Sequence, residues 1–227
     1  MPANIFRTSM ADRWATFDCY GTLVDWEEGL RRAFADVWPE ADPDRTLRVY
    51  HGVETLVQEG RDISYREVMA RSLAAVAAIE GLALPDDRGG ALGESLPGWP
   101  VFAEVPGALG RLRTDGWKLA ILSNTDPDLL ATSVESIGVP FDLTLTAAEA
   151  GSYKPAPGHW RRFYLETGVE GARHVHVAAS LFHDIEPAAR MGIRAVWINR
   201  LGESSDLPRA AELPDLSGLP GVLADFA

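Results

Sequence analysis

Residues 14–25 read WATFDCYGTLVD, and the rest of the chain is organised around them. A short apolar run from Trp14 to Phe17 ends in Asp18, and a turn carrying Gly21 follows at once. A carboxylate where a buried strand stops lies at the open end of a sheet, and open α/β sheets bind ligands outside the carboxyl ends of their strands. Asp18 then has two readings. As a turn or cap residue it satisfies nearby backbone N–H groups, the usual work of a strand-end Asp. As a nucleophile it attacks an electrophilic carbon or phosphorus and forms an ester that water cleaves. These twelve residues leave both open, and partners elsewhere in the chain have to separate them.

At 227 residues the chain can bury a full core and carry an insertion. With 46% hydrophobic and 24% charged residues it reads as globular rather than disordered. The formal net charge of −12 argues against nucleic acid or an anionic membrane as partner. A small anionic substrate stays open, since it feels only its own pocket. The single cysteine, Cys19, excludes an intramolecular disulfide and points to a reducing compartment. With no basic residue beside it in sequence, it reads as a packed thiol rather than a nucleophile. The opening residues hold no apolar stretch of signal-peptide length, and no window approaches the roughly 18 apolar residues of a membrane span. The expected location is cytoplasmic.

Periodicity predicts helices over 26–39, 44–59, 64–80 and 87–95, with Ser64 and Glu67 spaced as a capping box. The texture changes at residue 100. Strands are predicted at 117–124, 141–147, 174–180 and 193–200, with helices between them, and this alternation implies βαβ units and a parallel sheet. The strand at 14–18 joins the same sheet. The expected fold is therefore α/β: a Rossmann-like three-layer core from 1–25 and 100–227, with 26–99 inserted as an all-helical cap above the carboxyl ends.

Polar residues fall where the core strands end. Asp18 and Thr22 follow the first, Ser123 and Asn124 the second, Lys154 lies in the loop after the third, and Ser180 and Asp184 follow the fourth. A parallel sheet gathers these positions at one edge. In the functional reading Asp18 attacks, Lys154 holds and aims it, Ser123 and Asn124 donate to a carboxylate or oxyanion, and Asp184 fixes the Lys154 ammonium. Taken singly, each has a plainer reading as loop lysine, turn or helix cap. Their succession at four strand ends favours the functional one.

FDCYGTL, LAILSN, GSYKP and SLFHDIEPA resemble the four motifs of the haloacid dehalogenase superfamily, over the whole predicted core. The resemblance implies a Rossmann-like sheet with a mobile helical cap, Asp18 as nucleophile, Ser123 or Thr22 and Asn124 as binding residues, Lys154 as the motif-three lysine and Asp184 as its motif-four acid. Most of that superfamily are magnesium-dependent phosphatases with a second Asp two residues after the nucleophile. Here that residue is Tyr20, a poor acid, and the phosphatase Gly-Asp pair reads Ala178-Ala179, which cannot ligate Mg²⁺. The D-x-Y-G-T-L form, LAILSN, YKP and WINR are similar to the metal-free 2-haloacid dehalogenases. A halide leaves as an anion and needs no acid.

Departures from that group remain. Its motif-four Ser and Asn fall at Ala179 and Leu181, and its aromatic hydroxyl falls at Trp160. The cap arginine that helps receive halide has Arg48 as candidate, with Arg61 behind it. F-D-C-Y-G-T-L-x-D-W-E and S-L-x-H-D resemble a side branch that includes an azetidine-2-carboxylate hydrolase, in which His183 is a plausible site residue. The expected substrate-binding set is therefore Tyr20, Thr22, Ser123, Asn124, Arg48, Trp160, Ser180 and His183. No cofactor is expected, Mg²⁺ entering only on the phosphatase alternative. A non-catalytic binding protein is the other alternative, and the related dehalogenases imply a possible homodimer.

Overall fold

The computed structural model describes residues 12–58 and 63–226. Strand β1 (Arg13–Phe17) is followed by helices α1 (Trp26–Val37), α2 (Pro43–Gln58), α3 (Tyr65–Glu80) and α4 (Ala91–Ser95). Then come α5 (Val105–Thr114), β2 (Trp117–Ser123), α6 (Pro127–Ile137), β3 (Leu143–Thr146), α7 (Ala147–Ala150), α8 (Gly158–Thr167), β4 (His174–Ala178), α9 (Glu186–Arg190), β5 (Ala195–Ile198), β6 (Ala211–Leu213) and α10 (Leu219–Ala224). The strands form one parallel sheet in the order β3-β2-β1-β4-β5-β6. β1 is central. Its Phe17 pairs with Ile121 of β2 and Val177 of β4, so three carboxyl ends stand side by side.

The sheet carries apolar side chains on both faces because neighbouring residues of a strand point oppositely. Ala15, Phe17, Ile121 and Val177 join a cluster that runs without a break into Leu30, Phe34, Tyr50 and Leu73 of the helical insertion. Trp14, Ala120, Leu122 and Leu145 face the other way and pack on Trp160 and Phe163 of α8. The result is the expected three-layer α/β core. Among the described residues no helix is long and apolar enough to cross a membrane.

The insertion is stapled where it leaves and rejoins the core. Asp25 N–H donates to the Pro100 carbonyl at 2.7 Å, and Phe102 N–H to the Leu23 carbonyl at 3.1 Å. Gly29 lets α1 approach closely, since a Cβ there would overlap the Trp99 ring. Ser64 caps α3 by accepting from Glu67 N–H, one half of the capping box its spacing predicts, while the Glu67 carboxylate pairs with Arg71.

The sequence reading missed β6 and α10, both short. Strands 174–180 and 193–200 are shorter than predicted. After β4 the chain enters a π-helical turn, Leu181–Ile185, capped by Ser180. Its wider winding belongs to the segment that carries His183 and Asp184, and such turns are enriched at functional sites.

Candidate active site

β1 ends one residue before Asp18, and the turn beyond it requires Gly21 at φ +86°, a conformation that L side chains rarely adopt. The turn closes on itself through Leu23 N–H and Val24 N–H, both donating to the Cys19 carbonyl. Asp18, Ser123, Asn124, Lys154, Ser180, His183 and Asp184 border one cavity of about 580 Å³ beneath the insertion.

Lys154 lies at its floor, 1% exposed, with Nζ donating to Asp18 Oδ1 at 2.8 Å and to Asp184 Oδ1 at 2.7 Å. Burial works against the ammonium, but Asp18 and Asp184 beside it raise Lys154 above the ordinary lysine value. Burial likewise opposes an ionised Asp184, yet Lys154 and His176 hold its carboxyl well below the usual range. Asn124 borders the cavity and also positions the lysine. Its Oδ1 accepts Lys154 N–H at 2.6 Å and its Nδ2 donates to the Lys154 carbonyl at 3.1 Å.

Thr22 departs from the expected role. It is fully buried behind Asp18, donating to Oδ2 at 2.8 Å and accepting Ala179 N–H at 2.9 Å, and it does not line the cavity. Tyr20 lines the cavity but its hydroxyl meets Ser133 Oγ at 2.9 Å, and burial pushes the phenol well above its ordinary value. Ser180 Oγ accepts His183 N–H at 3.0 Å and reaches His183 Nδ1 at 3.2 Å. Burial lowers His183 below the ordinary histidine value. If Ser180 gives its proton to Nδ1, His183 carries its own on Nε2, a buried atom with no partner.

Two more expected binding residues lie elsewhere. Trp160 is buried in the core behind the sheet, edge-on to His176 at 5.3 Å. Its position six residues after Lys154 puts it on the inner face of α8 rather than in the cavity. Arg48 is exposed on α2 and does not border the cavity. Among the described residues the arginines that do are Arg31 and Arg200. Arg61 lies outside the described residues.

The residues missed from sequence form a buried chain beneath Asp184. His176 Nε2 is 3.0 Å from Asp184 Oδ1, His176 Nδ1 is 2.8 Å from Thr16 Oγ1, Thr16 Oγ1 is 2.7 Å from His174 Nε2, and His174 Nδ1 is 2.7 Å from the Tyr164 hydroxyl. A carboxylate only accepts, so His176 donates from Nε2 and takes the Thr16 proton on Nδ1. Thr16 then accepts from His174, and His174 from Tyr164. One polarity satisfies every link, and burial keeps His174 well below its ordinary value. The signal was present: HVHV places two histidines on one face of an apolar strand, and the register puts Thr16 beside His176.

The donor set does not suit Mg²⁺. An ammonium stands between the two carboxylates, Ala178 and Ala179 offer no oxygen side chain, and among the described residues no cluster of three metal-ligating side chains forms.

Residues 13–192 match the model of the haloacid dehalogenase-like hydrolase family. A phosphoserine phosphatase of Thermus thermophilus is 32% identical over 120 residues, covering 52% of this chain and 47% of that protein. The chain thus spans about half the length of that relative. Haloacetate dehalogenase H-2 of Moraxella sp. (strain B) is 27% identical over 215 residues, 88% of this chain and 91% of the relative. The crystal structure of an L-2-haloacid dehalogenase superimposes with a TM-score of 0.84 at 25% identity, over 94% of this chain and 99% of that one. With the sheet order, the strand-end residues and this match over most of the chain in agreement, the protein belongs to the haloacid dehalogenase-like hydrolase family.

Proposed function

We propose that the protein hydrolyses a small 2-halocarboxylic acid, without metal, through an ester of Asp18. The observation that carries this is Lys154 Nζ between Asp18 and Asp184, together with Tyr20 where a phosphatase keeps its acid. Thr22 and Lys154 grip the two oxygens of Asp18 and aim the carboxylate at the cavity. An Asp18 oxygen forms a bond to the halogen-bearing carbon as the carbon–halide bond breaks, and the electron pair leaves with the halide. Water then adds to the Asp18 carbonyl carbon, one of its protons passing to the departing 2-oxygen of the product and the other to solvent, and the Lys154 ammonium steadies the oxyanion. Collapse releases a 2-hydroxy acid and restores Asp18. Ser123 and the unpartnered Nε2 of His183 are the donors for the substrate carboxylate. Similarity to a haloacetate dehalogenase over 88% of this chain supports the substrate class. One buried cysteine, Cys19, supports a cytoplasmic setting.

A single turnover in ¹⁸O-water with 2-chloropropionate tests the mechanism. Mass spectrometry is expected to find one solvent oxygen in the peptide containing Asp18. Product with unlabelled Asp18 sinks the covalent route. The partial match to a phosphatase motivates a parallel assay of a phosphate ester with and without Mg²⁺, in which no metal-dependent turnover is expected. A non-catalytic protein would instead show no change in any chemical readout on Asp18→Asn.

A further inference from the structure

The cavity wall facing the strand ends is one face of α2: His51, Glu54, Thr55 and Gln58, at spacings of three, four and seven residues. Gln58 Oε1 lies 3.5 Å from Asn124 Nδ2, which ties this face over the site. Glu54 is one turn away, 9% exposed, and Tyr65 donates to its Oε1 at 2.7 Å. A buried carboxyl with no ion pair among the described residues, on the wall of a site that takes an anion, calls for a function.

Displacement at a saturated carbon expels the leaving group away from the incoming oxygen. Attack by Asp18 therefore drives the halide toward the helical wall. The arginines bordering the cavity are already engaged. Arg31 pairs with Asp44 at 2.7 Å and Glu27 at 3.1 Å, and Arg200 pairs with Glu104 at 2.6 Å. Lys154 is held by its two aspartates. We propose that Glu54 receives the leaving halide, its carboxyl donating a hydrogen bond from Oε2 as the carbon–halide bond breaks. This rests on the dehalogenase reading.

The proton stays on Glu54 throughout, and the halide departs with its electron pair. Burial raises the Glu54 carboxyl to about 7, offset in part by the Tyr65 hydroxyl. Tyr65 on α3 donates to it and Tyr50 on α2 lies within reach of its charge, while Glu27 and Arg31 on α1 and His51 on α2 border the same cavity. Asp18, Lys154 and His183 border the cavity on the core side. None of these makes an ion pair with Glu54. Above that pH an ionised Glu54 repels both the substrate carboxylate and the departing anion.

The test measures kcat/KM on bromo-, chloro- and fluoroacetate across roughly pH 5–9 for wild type, Glu54→Gln and Glu54→Leu. Wild-type activity is expected to fall as pH rises through about 7. Glu54→Gln, whose amide donates at every pH, is expected to lose that fall and to lose less rate than Glu54→Leu. Glu54→Leu is expected to lose about tenfold on bromoacetate and at least tenfold more on fluoroacetate, the halide that most needs a donor. An unchanged alkaline limb in Glu54→Gln, or an equal loss on all three halides in Glu54→Leu, overturns the assignment. Wild type inert toward every haloacid overturns the dehalogenase reading and this one with it.

Discussion

Lys154 Nζ stands 2.7 Å from Asp184 Oδ1, and that oxygen also takes the His176 Nε2–H at 3.0 Å. Asp184 is thus held from two sides, by the Lys154 ammonium and by the His176 ring N–H, and Lys154 passes that constraint on to Asp18. Lys154→Met removes the only ammonium from two buried carboxylates. It is expected to destabilise the fold by about 3–5 kcal/mol and to abolish turnover. Lys154→Arg is expected not to restore activity, because a planar fork does not fit where one point donor meets both oxygens. Urea midpoints and steady-state rates check both.

The chain beneath Asp184 grades its own mutations. His176→Leu takes a donor from a buried carboxylate and is expected to cost about 1.5–3 kcal/mol, with a loss of activity, since Asp184 loses its second hold. Tyr164→Phe, at the half-buried outer end, breaks a neutral bond and is expected to cost about 0.5–1.5 kcal/mol with little change in rate. A double-mutant cycle between them, read by denaturant unfolding, gives the coupling along the chain.

Two buried groups tilt stability with pH in opposite directions. Burial raises Glu54 from 4.5 to about 7, so its contribution is complete below 4.5 and is lost as pH rises through about 7. Burial and the Lys154 charge lower His159 from 6.5 to about 4, so its contribution is complete above 6.5 and is lost as pH falls through about 4. Glu54→Gln is expected to gain stability on wild type as pH climbs from 4.5, levelling off above about 7 at no more than about 3 kcal/mol. His159→Gln is expected to gain on the acid side. Unfolding curves across pH, variant minus wild type, check the two signs.

Arg48 and Trp160 separate from the site by experiment as they do in space. Arg48→Ala, on the exposed side of α2, is expected to leave kcat/KM within about twofold and stability within about 0.5 kcal/mol. Trp160→Ala is expected to cost about 3–5 kcal/mol of stability, as a large core deletion does. Thermal melts and rates together distinguish the two cases.

Much of the fold is legible in residue patterns. Apolar runs ending in polar residues mark five of the six strands, helical spacing marks α1 to α3, and βαβ alternation requires a parallel sheet. β6 and α10 escaped notice because three and six residues are too few for a period to show. At the site, Asp18, Ser123, Lys154 and Asp184 were readable because a strand end is a sequence landmark, and parallel topology brings such landmarks to one edge.

What sequence alone determined was the sheet, its polar edge and the identity of the groups on it. What the tertiary structure decided was which of those groups face open space. Thr22 turned inward behind Asp18, Asn124 kept to the cavity edge with its amide spent on Lys154, Trp160 went to the core, and Glu54 came to the cavity wall from a helix that advertised only its amphipathicity. The reason is physical. Periodicity says which side of a helix is buried, but a core and a binding cavity both bury it, and only the packing of α2 over the strand ends leaves a cavity there.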